Sequence, residues 1–187
     1  MHLRVPITPD ALNAITQCAE KQITAVAVTD IDTARFHEGF DGYLVSKLHL
    51  TMSDTSTLTI WAETRQFPVE GVSYGFETFV LEAELSSPHG ASAGASALDN
   101  ISEFTPLANA IVGTTIRSFE LMVHRDGYQP DVNPAFLVDI GVRINTDAAV
   151  VECFTEGVLP TWLGVRALTV VRADAMSAPS ADTRRST

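Results

Sequence analysis

Phe136, Val138, Ile140, Val142 and Ile144 are apolar side chains at every second position of one stretch. A period of two belongs to a β-strand that buries one face, and no helix can use it. The pattern recurs along the chain. Leu44, Leu48, Leu50 and Met52 fall on one face, and Val45, Lys47, His49 and Thr51 on the other. Leu58, Ile60 and Ala62 alternate with Thr57, Thr59, Trp61 and Glu63. Phe79, Leu81, Ala83 and Leu85 alternate with outward Glu82 and Glu84. Phe119, Leu121 and Val123 follow the same rule, as do Ala149, Val151 and Cys153, and a last strand spans Val165 to Val171.

Short polar turns join these strands. Ser53-Asp54-Thr55-Ser56 and Asn145-Thr146-Asp147 are turn sequences, and each predicts an antiparallel hairpin. Two segments have helical signals instead. Thr8-Pro9-Asp10 supplies an N-cap, a proline for the first turn and an acid for the dipole. Leu12, Ile15 and Ala19, with Cys18 beside them, then predict a helix over about 9–22. Ile23 to Val28 reads as a buried strand or as the end of that helix. Thr105-Pro106 opens a second helix to about Gly113, with Leu107, Ala108, Ile111 and Val112 on its apolar side.

The fold class that follows is α+β: a mostly antiparallel sheet of about six to eight strands with two short helices. One globular domain is expected over 1–174, with a flexible Ser/Gly/Ala loop at 86–98 and a disordered tail at 175–187. The expected core is Leu48, Leu50, Ile60, Leu81, Phe119, Leu121, Val138, Ile140 and Val142. Two internal echoes stand out. Asp41-Gly42-Tyr43 recurs as Asp126-Gly127-Tyr128, and Tyr43-Leu44-Val45 resembles Phe136-Leu137-Val138. Their spacings differ, so one ungapped alignment cannot hold both.

Charge narrows the function. The chain has a net charge of −11, and residues 30–103 hold twelve acids against three bases. Phosphate contacts need clustered Lys and Arg, so nucleic acid is not an expected partner, and anionic membranes are excluded on the same ground. Apolar runs fall far short of the ~18 residues of a membrane span, and the N-terminus has no secretory pattern. A cytoplasmic location is expected. Cys18 and Cys153, without Cys or His at metal-ligand spacing, read as reduced, buried residues.

Chemistry-bearing motifs are few. Asp30-Ile31-Asp32-Thr33 resembles the opening motif of haloacid-dehalogenase-like phosphotransferases, a resemblance that implies a nucleophilic Asp with Mg²⁺. It covers only these four residues. Ala34 and Arg35 do not continue it, and the antiparallel pattern is not the βαβ order of such enzymes. A plain metal site would draw on Asp30, Asp32, His37 and Glu38. His124-Arg125-Asp126 imitates a kinase triplet, but Asp131 stands where its Asn is required and there is no Gly-rich nucleotide loop. No G-x-S-x-G, H-E-x-x-H or P-loop is present. The chain therefore reads as a non-enzymatic binding or assembly protein, of a neutralising, immunity-type or structural kind, with no cofactor and no metal. The alternative is a small metal-dependent enzyme with its site near Asp30–Glu38. The expected partner is another protein with basic character, or a second copy. Trp61, on a polar face, is the candidate anchor, and Glu63, Glu82 and Glu84, grouped with Asp54, are the candidate steering charges.

Overall fold

Thr8 caps the first helix as its sequence context demands. Its backbone is extended, and its Oγ1 accepts the Ala11 amide at 3.2 Å. The helix it opens, α1, spans Pro9–Thr16. The computed structural model describes residues 3–5, 7–31, 42–67, 76–87, 105–126, 136–155 and 162–169. The expected loop from residue 88 to 98 and the tail at 175–187 lie outside the described residues.

α1 is shorter than the 9–22 expected. Gln17 ends it, and Glu20 takes a left-handed conformation at φ 63°, which a helix cannot contain. The buried stripe is also set differently from the expected one. Ala11, Ala14, Ile15 and Cys18 face inward, and Leu12 is 37% exposed. The second helix, α2, covers Thr105–Ile111. It buries Leu107 and Ile111, and Val112, expected on the apolar side, is exposed.

The strands are β1 (Leu3–Val5), β2 (Ile23–Ile31), β3 (Tyr43–Met52), β4 (Thr57–Phe67) and β5 (Phe76–Ser86), then β6 (Ile116–Asp126), β7 (Phe136–Thr146), β8 (Ala149–Thr155) and β9 (Leu163–Thr169). They form one curled sheet in the order β1-β7-β8-β9-β3-β4-β5, with β2 beside β3 and β6 beside β7. Every pairing is antiparallel except the short β1, which runs parallel to the start of β7. The α+β architecture is the expected one. β1 was not anticipated, because three residues are too few to display a period.

The element order α-β-β-β-β occurs twice. α1-β2-β3-β4-β5 and α2-β6-β7-β8-β9 share the same hairpin ladder: first strand to second, second to third, third to fourth. Three details support the repeat. Thr24 and Arg117, each second in the first strand of its half, both fall at a bulge. Glu20 and Gly113, each three residues before that strand, both have positive φ, 63° and 86°. Across the junction the Ile23 amide donates to Thr114 O at 2.9 Å and the Ile116 amide to Lys21 O at 3.0 Å. The Gly113 amide returns to Ile23 O at 2.7 Å, and the Glu20 amide to Ile116 O at 2.9 Å. The halves thus exchange the same backbone bonds about a pseudo-twofold axis near the Gln22↔Thr115 bridge. The helices echo one another too: Thr8-Pro9 with Asn13-Ala14-Ile15, and Thr105-Pro106 with Asn109-Ala110-Ile111. Of the two echoes seen in the sequence, Tyr43-Leu44-Val45 with Phe136-Leu137-Val138 is the structural one, since each opens the second strand of its half.

Leu48, Leu50, Ile60, Leu81 and Val142 are fully buried, as expected. Phe119 and Leu121 only pack partly against this core, because β6 is an outer strand with one sheet neighbour. Ile140 is half-buried, and the side chain of Val138 lies outside the described ones. Val45, placed by alternation on the polar face, is fully buried. β3 meets β9 there, with Val45 opposite Leu163, which is also fully buried. No helix among the described residues is long and apolar enough to cross a membrane.

Candidate functional site

The outward residues of β3, β4 and β5 lie in three cross-strand rows. Lys47, Trp61 and Glu82 form one; His49, Thr59 and Glu84 the next; Thr51, Thr57 and Ser86 the third. Alternation dictates this, since Leu48, Leu50, Leu58 and Ile60 occupy the core face.

In the first row, the Lys47 ammonium stands 5.3 Å from the centre of the Trp61 ring. The cation is held by the ring's negative face, and Trp61 stays half-exposed. Glu82 has a different role. It is 7% exposed, accepts the Thr8 hydroxyl at 2.9 Å and is ion-paired with Arg65. Since Thr8 caps α1, Glu82 fastens the first turn of the helix to β5. Arg65 also lies 3.9 Å from Glu63, whose side chain is 51% exposed.

The second row is neutral in the middle. His49 Nε2 lies 2.9 Å from Thr29 Oγ1, and Nδ1 lies 3.0 Å from Thr59 Oγ1. In either tautomer one ring nitrogen donates and the other accepts. Burial, and then the Lys47 charge, hold the His49 pKa below the ordinary imidazole range. Glu84 at the end of the row is exposed and has no ion pair among the described residues. In the third row the two threonine hydroxyls lie 3.4 Å apart.

The candidate set is therefore only partly assembled. Trp61, Glu63 and Glu84 share an accessible face. Glu82 lies on that face but is closed off by its partners. Asp54 sits in the β3–β4 turn, bound to Lys21 at 2.8 Å and accepting the Ser56 hydroxyl and amide. The Lys21 hydrogen bond, with those from Ser56, holds the Asp54 carboxyl well below the usual range. Lys21 and Ser56 close the turn with Asp54, whose carboxylate is thereby paired.

The matching face of the second half contains a feature that sequence reasoning missed. Glu120, Arg143, Glu152 and Arg166 stand in register across β6, β7, β8 and β9. Arg143 donates to Glu152 at 2.6 and 2.9 Å and to Glu120 at 3.1 Å, and Arg166 donates to the other Glu152 oxygen. Glu152 is 1% exposed. Burial pushes its pKa up, but the bonds from Arg143 and Arg166 outweigh this and hold it low. Each residue occupies a polar position of its strand, yet only the register reveals that they meet. Beside this row Arg166 lies 5.6 Å over the Phe154 ring.

The chemical capacity of these faces is limited. Among the described residues every buried side-chain nitrogen or oxygen has a hydrogen-bond partner. A hydroxyl–imidazole contact can activate a nucleophile, but the far nitrogen of His49 meets a hydroxyl and no carboxylate orients it. Cys18 and Cys153 are free and buried, and burial pushes their thiols up to about 11 and about 12, so neither forms a thiolate at neutral pH. Asp30 is exposed with φ 47°. Asp32, His37 and Glu38 lie outside the described residues. Among the described residues no group of three His, Cys, Asp or Glu could hold a metal.

These features define an α+β protein of two αββββ units with a polar outer face centred on one tryptophan. Compared with known proteins, the chain matches no family model, no curated protein and no solved structure.

Proposed function

We propose that this chain is a non-enzymatic binding or assembly protein that engages another protein through the outer face of β3, β4 and β5. The observation that carries the reading is the setting of Trp61. It is a large aromatic held half-exposed on a sheet face, braced by Lys47 and flanked by exposed Glu63 and Glu84. A rigid aromatic loses little conformational freedom on docking and desolvates a large apolar area, which is why such residues anchor interfaces. The segment 30–103 has a net charge of −9, and a basic partner would relieve its self-repulsion and be steered toward it.

The test uses the purified full chain against host extract, with Trp61→Ala as the matched control. A partner retained by the wild type and lost with Trp61→Ala supports the reading. Association rates with that partner should fall as salt rises, and Glu63→Gln/Glu84→Gln should flatten the slope. Equal retention by Trp61→Ala removes the anchor, and unchanged salt slopes remove the steering face.

A further inference from the structure

A sheet of this kind has outer edges, and an outer edge presents unpaired backbone donors and acceptors. Among the described residues three long strands have one sheet neighbour each: β2, β5 and β6. They are managed differently. α1 packs against β5 and is fastened to it by the Thr8–Glu82 bond. β6 has exposed Arg117 and Glu120 on its length and a second bulge between Met122 and Val123. Charge and bulges are the usual devices that keep strangers off an edge.

β2 lacks them. From Ile23 to Thr29 it reads Ile-Thr-Ala-Val-Ala-Val-Thr, without a charge or a proline, and its pairing with β3 is regular from Ala25 onward. Thr24 and Ala25 are exposed, and no strand pairs with the far side of β2 beyond Ile23 among the described residues. β2 and β6 are equivalent strands of the repeat, so the contrast is not a consequence of topology. One copy of the motif keeps its edge blocked, and the other leaves it open.

We infer that the free edge of β2 accepts an extended, basic segment of a partner protein as an added antiparallel or parallel strand. Charge selects this occupant over a second copy of the chain. Asp30 follows the neutral stretch, exposed and without an ion pair among the described residues, while Glu20 before it, with a side chain 67% exposed, is already bonded to Arg117 at 2.7 Å. A second copy would bring another net charge of −11 to the same place. A segment with small or β-branched residues at its centre and a Lys or Arg facing Asp30 satisfies the backbone and that acid. Small Ala25 and Ala27 leave room beside the edge on one face.

The inference goes beyond the Trp61 reading, and it can hold or fail separately. The probe is a capped synthetic peptide, Lys-Thr-Val-Thr-Val-Thr-Val-Lys, added to the full chain and followed by amide hydrogen exchange. Exchange at alternate amides between Thr24 and Thr29 should slow by about tenfold or more at saturation. The same peptide N-methylated at alternate residues keeps its charge but cannot pair, and it should give no protection. A peptide with Glu in place of Lys should bind more weakly at low salt. Trp61→Ala should leave the protection intact. Protection confined to β6, an equal response to the N-methylated peptide, or no response at millimolar peptide would each overturn the inference. So would sedimentation of the free chain as a dimer whose Thr24–Thr29 amides are already protected, since a second copy would then be the occupant.

Discussion

The two αββββ halves have the same ladder and the same junction bonds, yet their outer faces hold together by different means. On the first half the central row is neutral, with His49 bonded to two threonine hydroxyls. On the second half the corresponding row is ionic, with Glu152 clamped by Arg143 and Arg166. Trp61 and Phe154 occupy like positions, each under a cation. Trp61 remains available, whereas Phe154 covers the backbone of its neighbours. Gly141 and Gly164 stand opposite it in register on either side. A Cβ on Gly164 would meet the Phe154 ring at 2.7 Å. A repeated backbone does not dictate a repeated surface. One face is closed on itself and the other is left with an accessible aromatic and, at Glu84, an exposed acid without an ion pair among the described residues.

The largest difference between the halves is expected at Gly141, which faces Phe154 as Lys47 faces Trp61. An added Cβ there would lie 2.3 Å from the Cys153 carbonyl oxygen and 2.8 Å from Phe154 Cα, which is backbone and cannot turn away. Gly141→Val should cost about 3 kcal/mol in urea unfolding, and Lys47→Val under about 1 kcal/mol. Equal losses would show that the two positions are equally crowded.

Next in size is the ionic row. Glu152→Gln leaves Arg143 and Arg166 facing a neutral amide, and about 2 kcal/mol should be lost at pH 7, less than for a fully buried pair because both guanidiniums reach solvent. The two rows should also separate by pH. Glu152 has a lowered folded pKa, so its contribution is complete above the ordinary carboxylate range of about 4.3 and is lost as pH falls through the folded value. His49 has a lowered folded pKa as well. Its contribution is complete above about 6.5 and fades as pH falls from there toward the folded value. Wild type should therefore lose stability relative to His49→Gln as pH falls below about 6.5, and the gap between wild type and Glu152→Gln should narrow only at lower pH. A pH profile unchanged by His49→Gln would show that the neutral row does not resist protonation.

The aromatic pair follows. Phe154→Ala uncovers two glycines and should cost about 2 kcal/mol, while Trp61→Ala should cost about 1 kcal/mol and act on partner retention instead. Thermal unfolding of the two variants measures the difference, and the reverse order would assign the structural role to Trp61. The smallest effect belongs to the paired left-handed positions. Gly113→Ala should lose about 1 kcal/mol, because a Cβ is disfavoured at that φ although the space is open. Glu20→Gly relieves the same strain but gives up the exposed bond to Arg117, so it should change stability by less than about 0.5 kcal/mol. A large loss at Glu20→Gly would mean that the surface pair outweighs the backbone.

Within the chain itself, local rules determined most of the strands, the two helix starts and the class of fold, but not the three-residue β1 or the choice of strand over helix end at β2. Period-two alternation is a local property, and it placed Leu48, Leu50, Ile60, Leu81 and Val142 in the core correctly. The Thr-Pro signals found both helices because capping involves only a few consecutive residues. The echo of Tyr43-Leu44-Val45 at Phe136 was visible too, but choosing it over the competing echo required knowing which residues open equivalent strands. The tertiary structure decided everything that depends on register. Alternation puts Glu82, Glu84 and Glu152 alike on polar faces, and nothing local distinguishes them. Glu84 is exposed, Glu82 ties a helix cap to the sheet, and Glu152 is buried between arginines of two other strands. Burial of a charge depends on which side chains stand opposite it. Those partners are 9 and 14 residues away for Glu152 and 74 for Glu82, distances that only pairing and packing can close.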